Sequence, residues 1–375
     1  MVKFLHTADW QMGMKALHTG EKAKDVRFKR FETAKRIVEE AKAANVDFVL
    51  LAGDTFEDNT VDEVVVKRTV DILNQFDPIP VYIIPGNHDP FVPGSIWDRD
   101  IWKQIGSHVS LLTEAVEYCH SDDVVIYPCP LTQKKSGLDP TLWIPKRTEE
   151  DPRIRIGLAH GSLDIISEDA NFPIPLDRPE QSDLDYLALG DWHSYYAVQN
   201  AVYSGTMEPT GFGEKNSGNV LIVEIKTANS VPKIDVRRIN ALTWIDISPD
   251  IQDSADLAVF ESELKKLDPL SSKLLKITPI LEECSDIVAF QQLETIRSDL
   301  LEKSFFLDWD DPIIQPMVGD AHLPEGILSR MDEVLADILE GKIPAGPGKE
   351  FAICDNTTVS RARQILHRLA GGRLS

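Results

Sequence analysis

Five short polar segments each close an apolar or β-branched run: Asp9-Trp10-Gln11, Gly53-Asp54, Gly86-Asn87-His88-Asp89, His160-Gly161 and Gly190-Asp191-Trp192-His193. Asp, Asn and His together are the donor set for hard or borderline divalent cations. Any one of them alone is usually a cap, a turn residue or a satisfied polar side chain. As a set, placed after five successive runs, they have no packing purpose and read as a metal site.

The elements that must position them follow from periodicity. Residues 2–5, 48–51, 81–84, 154–158 and 186–189 are near-continuous apolar runs and read as buried strands. In open α/β sheets ligands gather at the carboxyl ends of strands, so five polar ends can converge on one spot. Residues 25–44 read as an amphipathic helix with Phe31, Ala34, Val38 and Ala41 along one side. Thr60 with Glu63 makes a capping box for a second helix carrying Val65, Thr69, Leu73 and Phe76, ended by Asp77-Pro78. Strand, helix and strand alternate through residue 90, the pattern of a mostly parallel sheet. Residues 132–153 and 164–183 read as exposed loops near the active-site side, and 197–203, 220–225 and 233–239 as strands of a second sheet. A second unit begins near Leu242, with strands at 244–247, 274–281 and 304–309 and helices at 255–267 and 287–301. Near the end, Ile327, Met331, Val334 or Leu335, and Ile338 form an apolar stripe at helical spacing. A turning linker (343–348) and a short basic helix (359–369) follow.

In order and interval the five segments resemble the calcineurin-like metallophosphoesterases, most closely the SbcD-type DNA double-strand-break repair nuclease subunits. The stretch from Phe4 to Trp10 resembles that family's opening strand. Tyr203-Ser204-Gly205-Thr206-Met207-Glu208, Phe212-Gly213-Glu214 and residues 218–225 resemble the segment closing its nuclease core. The likeness covers residues 1–240 and thins afterwards. It implies an α/β fold: a two-sheet metallophosphoesterase sandwich flanked by helices, with a small α/β capping domain and a C-terminal helical segment. The implied divisions are a nuclease domain at 1–240, a capping domain at 241–312 and a partner-binding segment at 313–375. It also implies two divalent cations about 3.5–4 Å apart, which neutralise phosphate oxygens and ready a hydroxide for in-line attack. By residue-by-residue carry-over Asp54 is shared, one cation takes Asp9, Gln11 and His193, and the other takes Asn87, His160 and Asp191. His88 resembles the family's non-ligand histidine, placed to protonate the departing oxygen or steady the phosphate, a role that suits an imidazole near neutral pH.

Two positions depart from the family pattern. Gln11 stands where the second residue of an Asp-x-His pair is usual, and Asp191 where the first histidine of Gly-His-x-His is usual. A carboxamide is a neutral, weaker donor, whereas Asp191 adds a negative charge. The expectation is two ions held with unequal affinity, Mn²⁺ or Mg²⁺ ahead of Zn²⁺ because oxygen donors dominate. Partial loss of catalytic competence stays open.

At 375 residues the chain has length for two or three domains, and 42% hydrophobic with 27% charged residues is a soluble composition. Cys119, Cys129, Cys284 and Cys354 show no metal-ligand spacing and suit a reducing cytoplasm. The first strand starts at residue 2, leaving no room for a signal peptide, and no apolar stretch is long enough to span a bilayer. A net charge of −22 opposes sequence-independent DNA binding, which comes mainly from Lys and Arg. Two basic runs stand against it: Lys22, Lys24, Arg27, Lys29, Arg30, Lys35 and Arg36, and the tail Arg361, Arg363, Arg368 and Arg373. Each is a DNA-docking patch or a solvated helix face. His6 reads as structural or as support for the ligands. His18, His108, His120, His322 and His367 read as solvated, and Trp10 and Trp192 as packing or as a cleft wall that stacks on a base.

Three functions are compatible with these residues. The first is a DNA phosphodiesterase, exo- or endonucleolytic, working with an SMC-like coiled-coil ATPase of the SbcC type in repair or defence. The second is a phosphodiesterase for cyclic nucleotides or other small molecules. The third is a structural subunit whose altered ligands no longer support catalysis. Helices 25–44 and 61–76 offer a homodimer contact, and the C-terminal helices either pack on the chain itself or grip the ATPase.

Overall fold

The computed structural model describes residues 1–164, 170–282, 287–315 and 326–342, together with Val359, Ala362, Arg363 and Leu366. Cys284, Cys354, His322, His367, Arg361, Arg368, Arg373, the 343–348 linker and most of the 359–369 helix lie outside the described residues. The chain divides into two compact units. One is Met1–Ile247 with Leu264–Ile277 and Arg297–Trp309; the other is Ser248–Glu263 with Thr278–Ile296 and Asp310–Ser375.

The first unit is built on strands β1 (Val2–Thr7), β2 (Phe48–Ala52), β3 (Val81–Ile84), β4 (Val109–Leu111), β5 (Tyr118–Ser121) and β6 (Val124–Cys129). They are followed by β7 (Ile154–His160), β8 (Tyr186–Gly190), β9 (Tyr196–Val198), β10 (Ala201–Tyr203), β11 (Asn219–Ile225) and β12 (Lys233–Arg238). One six-stranded sheet runs β12-β11-β1-β2-β3-β4 and the other β5-β6-β7-β8-β10-β9. All five runs that precede the polar segments are strands, and within each sheet they run parallel to one another: β1, β2 and β3 in the first and β7 and β8 in the second.

Alternation along each strand builds the layers. Leu5, Val49, Leu51, Val81 and Ile83 face α1 (Ala23–Ala44) and α2 (Glu63–Leu73), which contribute Ala34, Ile37, Val38, Val66 and Val70 to one core. Phe4, Phe48, Leu50, Tyr82 and Ile84 face the other way and meet Ile126, Ile156, Leu158, Tyr186 and Val202 of the second sheet. Phe4 and Phe48 stack with centroids 5.1 Å apart. The far face of the second sheet buries Tyr127, Leu187, Leu189 and Tyr203 under the loops. A strand covered on both faces cannot slip by one residue without exchanging cores, so the register of the ligand-bearing ends is fixed.

Several expectations need correction. Residues 220–225 and 233–239 do form strands, but they join the first sheet and not the second: β11 pairs antiparallel with β1, and β12 antiparallel with β11. Residues 197–203 are two strands, because the chain turns at Gln199, which has φ 51°. The capping box is absent: α2 starts at Glu63 after Asp62, and the Thr60 hydroxyl donates to Asp58 instead. The loop at 164–183 contains a short helix, α3 (Arg178–Gln181), whose Arg178 pairs with Asp139. His108 and His120 are half-buried rather than solvated; His108 donates to the Leu73 carbonyl and His120 bonds the Tyr82 hydroxyl. His6 is fully buried, with Nδ1 3.0 Å from the Tyr186 hydroxyl.

Past residue 242 the elements are β13 (Thr243–Ile247), β14 (Asp250–Ile251), α4 (Ser254–Lys265), β15 (Lys273–Ile277) and β16 (Ile280–Glu282). Then come α5 (Ile287–Lys303), β17 (Phe306–Trp309), β18 (Ile313–Gln315) and α6 (Ile327–Leu339). The strand expected at 274–281 is broken at Thr278-Pro279, since proline brings no N–H to a ladder. Proline interrupts its neighbours likewise, at Pro249 and Pro312, giving two parallel three-stranded sheets, β13-β15-β17 and β14-β16-β18. In the second unit α6 buries Ile338 while Met331 is exposed, and Asp332 pairs with Arg363 at 2.6 Å.

Burial lowers the pKa of His6 to about 3. A histidine held neutral in the fold stabilises fully above its unfolded pKa of about 6.5 and loses that contribution as pH falls toward the folded value. Between pH 6.5 and 5, the stability difference between the wild-type chain and His6→Gln should therefore narrow by about 2 kcal/mol. Urea unfolding of both at each pH measures it, and a constant difference would show that the ring does not stay neutral in the fold.

Candidate metal centre

The loops after β1 and β2 run side by side. The Asp9 amide donates to the Gly53 carbonyl at 3.2 Å, Gln11 to Asp54 at 2.9 Å and Met12 to Thr55 at 2.9 Å. This pairing needs unusual backbone: Asp9, Gln11 and Asp54 have φ of 52°, 41° and 50°, and Asp191 has 104°. Left-handed conformations cost a non-glycine residue free energy and gather at functional sites. Two glycines admit the close approach. A Cβ at Gly86 would collide with the Asp54 carboxylate, and one at Gly190 with the Ala52 carbonyl.

The ends of β1, β2 and β7 bring Asp9, Asp54 and His160 together, with ligand atoms within 4.8 Å of one another and all three residues buried. His160 sits at the middle. Its Nδ1 donates to the Ala52 carbonyl at 2.8 Å. Its Nε2 faces Asn87 Oδ1 at 2.7 Å, Asp54 Oδ1 at 3.4 Å and Asp191 Oδ1 at 4.0 Å. The Asp191 amide donates to both oxygens of Asp9, at 3.1 and 3.2 Å. Beside this group, Gln11 Nε2 lies 3.0 Å from His193 Nε2, and His193 Nδ1 donates to Glu214 at 2.6 Å. These contacts link five of the expected donors, Asp9, Asp54, Asn87, His160 and Asp191, while Gln11 and His193 form a neighbouring pair tied to them through the Gln11 amide on the Asp54 carbonyl. His88 stands at the edge: its amide donates to Asp54 at 2.9 Å and its Nδ1 to the Glu57 carbonyl at 2.8 Å, leaving Nε2 uncommitted to either.

The electrostatics ask for positive charge. Burial pushes Asp9 up to about 7 and raises Asp191 as well. Burial also works against ionised Asp54, but the His160 charge and hydrogen bond outweigh it and hold that carboxyl low. For His160 the same contest runs in reverse: burial disfavours its charge, and Asp54, Asp9 and Asp191 win and lift it well above the usual range. Without cations the countercharge for these carboxylates falls to the His160 and His193 rings. The donor set fits divalent ions: oxygen-rich and anionic, with His160 fixed through Nδ1 so that Nε2, once deprotonated, points at the carboxylates.

The motif reading assigns no role to some working residues, although Asp89 closes the Gly86-Asn87-His88-Asp89 segment. Asp89, buried, accepts from the amides of Gly86 at 2.7 Å and Phe56 at 2.9 Å, folding the Asn87-His88 turn back on itself. Arg30, a member of the first basic run, is buried; it donates to the Trp10 carbonyl and, at 3.0 Å, to the Thr206 hydroxyl. Thr206 in turn donates to the Asp9 carbonyl at 2.8 Å. A signal for Arg30 does exist, because it falls on the apolar face of α1 between Val26 and Ala34. Arg36 is likewise spent on the carbonyls of Ile239 and Asn240. Trp10 is buried packing, but Trp192, between two donors, is 42% exposed.

Comparison with known proteins follows the same lines. A family model described as calcineurin-like phosphoesterase matches residues 2–195. An uncharacterized metallophosphoesterase, YhaO of Bacillus subtilis, is 23% identical over 339 residues, covering 83% of this chain and 81% of that protein. The SbcD component of the SbcCD nuclease of Staphylococcus saprophyticus is 22% identical, covering 62% of this chain and 68% of its own. The DNA double-strand break repair protein Mre11 of Archaeoglobus fulgidus is 37% identical over 90 residues, 24% of this chain and 19% of its own length. With more than half its length matched by the family model, and with its acidic donors gathered at the strand ends, the chain belongs to the calcineurin-like phosphoesterases, hydrolases of phosphoester bonds.

Proposed function

We propose that this phosphoesterase is a DNA phosphodiesterase, the nuclease subunit of a complex with an SMC-like coiled-coil ATPase acting in DNA repair or defence. The observation that carries the reading is the buried Asp9–Asp54–His160 cluster, which Asn87 and Asp191 complete and beside which Gln11 and His193 stand. The nuclease and repair proteins among the similar sequences support the choice of substrate.

Two divalent ions, Mn²⁺ before Mg²⁺, would be held by Asp9, Gln11 and His193 on one side and Asn87, His160 and Asp191 on the other, with Asp54 between. When bound they neutralise phosphate oxygens and lower the pKa of water. The side chains supply the rest. His160 gives up its Nε2 proton on loading while its Nδ1–H stays on the Ala52 carbonyl, which fixes the ring. Gln11 is the weak member: its amide nitrogen meets the His193 ring, so to offer its oxygen it must turn over. The two positions therefore differ in affinity. His88, anchored by Glu57, offers Nε2 to the leaving oxygen or to a phosphate oxygen.

The chain's charge of −22 leaves general DNA affinity to the partner. Of the first basic run, Arg30 and Arg36 are committed to the fold, and Lys29 pairs with Glu32. Residues 241–312 act as the capping domain and 313–375 as the segment that grips the ATPase. Phe28 on α1 and Val64 on α2, 54% and 66% exposed, fit a homodimer contact. Among the described residues no helix is long and apolar enough to cross a membrane, and we place the protein in the cytoplasm. Gln11 also supports a second reading, a catalytically weakened scaffold of the same complex.

Four measurements test these readings. His88→Ala should lower turnover of an oligonucleotide under Mn²⁺ by about 100-fold or more while Mn²⁺ binding holds; unchanged nuclease activity favours the scaffold. Trp192→Ala should raise KM for single-stranded oligonucleotides, since a stacked base is worth about 1–3 kcal/mol, and leave hydrolysis of bis(p-nitrophenyl) phosphate alone. Faster turnover of cyclic nucleotides than of oligonucleotides would instead identify a small-molecule enzyme. Removal of residues 325–375 should leave a folded phosphoesterase that no longer co-purifies with a co-expressed SMC-like ATPase, and retained co-purification rejects the assigned docking segment.

A further inference from the structure

The two histidines of the centre are held by different acceptors. His160 Nδ1 donates to a neutral backbone carbonyl, that of Ala52. His193 Nδ1 donates to a carboxylate, Glu214 Oε1, at 2.6 Å. That carboxylate is itself clamped: Oε2 accepts from the Thr210 amide at 2.8 Å, and Oε1 accepts from the Thr210 hydroxyl. The turn carrying Glu214 is tied down as well. The Ser217 hydroxyl donates to the Glu214 carbonyl at 2.9 Å, and the Tyr195 amide, two residues after His193, donates to Asn216 at 3.0 Å. The Thr206 amide bonds the His193 carbonyl at 3.0 Å, closing the frame from the other side. Glu214 is thus a fixed acceptor presented to one ring nitrogen.

We propose that Glu214 is the positioning residue for His193, fixing its Nδ1–H tautomer and orientation, and that it thereby offsets the weak Gln11 donor at the same metal position. This rests on the two-ion reading of the centre. A carboxylate behind a ligand imidazole makes the ring a better donor than a carbonyl does and locks the free lone pair on Nε2. The asymmetry falls where it is needed. The position served by His160 has Asp191 as an additional anionic donor and takes only a backbone brace. The position served by His193 has a neutral carboxamide and takes the charged brace. Glu214 makes no contact with Asp54, Asn87 or His160 among its hydrogen bonds, so its influence should be confined to one ion.

The test is a calorimetric Mn²⁺ titration of the full-length chain and of Glu214→Gln, with Thr210→Val as a milder variant that keeps the carboxylate. Wild type should take up two ions of unequal affinity. Glu214→Gln should weaken the looser one by about 10- to 100-fold and leave the tighter one within about twofold. Thr210→Val should weaken the same ion by less. Nitrogen-15 spectra of the metal-free proteins provide the second readout: the His193 ring should hold a single tautomer in wild type and a mixture in Glu214→Gln. Two ions in wild type with no selective loss in Glu214→Gln overturn the role of Glu214 alone. Equal weakening of both ions, or loss of the cooperative melt in the metal-free variants, makes Glu214 a structural residue and also rejects it. One ion in wild type overturns the two-ion reading, and this inference with it.

Discussion

Everything at this centre answers to the repulsion among Asp9, Asp54 and Asp191, buried carboxylates assembled around one imidazole. Like charges in a low-dielectric setting repel strongly, and burial alone drives Asp9 and Asp191 toward their protonated forms. The chain tolerates this arrangement because His160 takes up positive charge in response. A fold selected for stability alone would not gather these groups; replacing such a cluster whole by well-packed apolar residues is often neutral or stabilising. Their convergence makes sense only where cations complete it. The left-handed backbone at Asp9, Gln11, Asp54 and Asp191 is a second expense of the same kind.

The rest of the first unit works to make that arrangement rigid. β1 and β2 are adjacent parallel strands, so the loops that leave them can pair amide to carbonyl for three successive bonds. Arg30 reinforces the first loop from below, gripping the Trp10 carbonyl between two donor residues and the Thr206 hydroxyl that holds the Asp9 carbonyl. Burial lowers the pKa of this guanidinium, and Glu208, Glu214, Glu57 and Asp9 oppose that shift. It is therefore both a mechanical brace and a positive charge set against these carboxylates. Glu208, accepting from Thr33 and from the amides of Ala241 and Leu242, carries the same network to the chain segment leaving β12.

How much of this was legible depends on where each signal lives. The five strands were readable because both faces of each are buried, which writes a continuous apolar run into the sequence. The donors were readable because type, glycine flanks and strand-end position coincide. The sheet to which β11 and β12 belong was not, since an antiparallel return beside β1 is decided by the partner strand and not by the strand's own pattern. The broken strand at Pro279 could have been read, as proline argues against a central ladder position. Glu214 was hidden for another reason: it acts through a neighbour distant in sequence, and an acid on the chain carries no mark of the ring it will meet; Arg30 leaves only the mark of its place on the apolar face of α1. His108 and His120 fall in the same class, being paired with Leu73 and Tyr82.

The same electrostatic view bears on how an acidic phosphoesterase receives an anionic substrate. A net charge of −22 spread over the surface repels a phosphoester at long range, but at physiological ionic strength that field decays within about 8 Å. Inside the centre the balance is local. Three carboxylates and Glu214 face His160, His193 and the nearby His88, so the loaded site must carry at least as much cationic charge as the carboxylates supply before a phosphate can approach. The attraction for substrate is therefore concentrated in a few ångströms around the donors. Affinity for the remainder of a large substrate has to come from surfaces that this cluster does not influence. An exposed aromatic such as Trp192 suits that task, because stacking draws on contact area and desolvation and is indifferent to the surrounding negative charge.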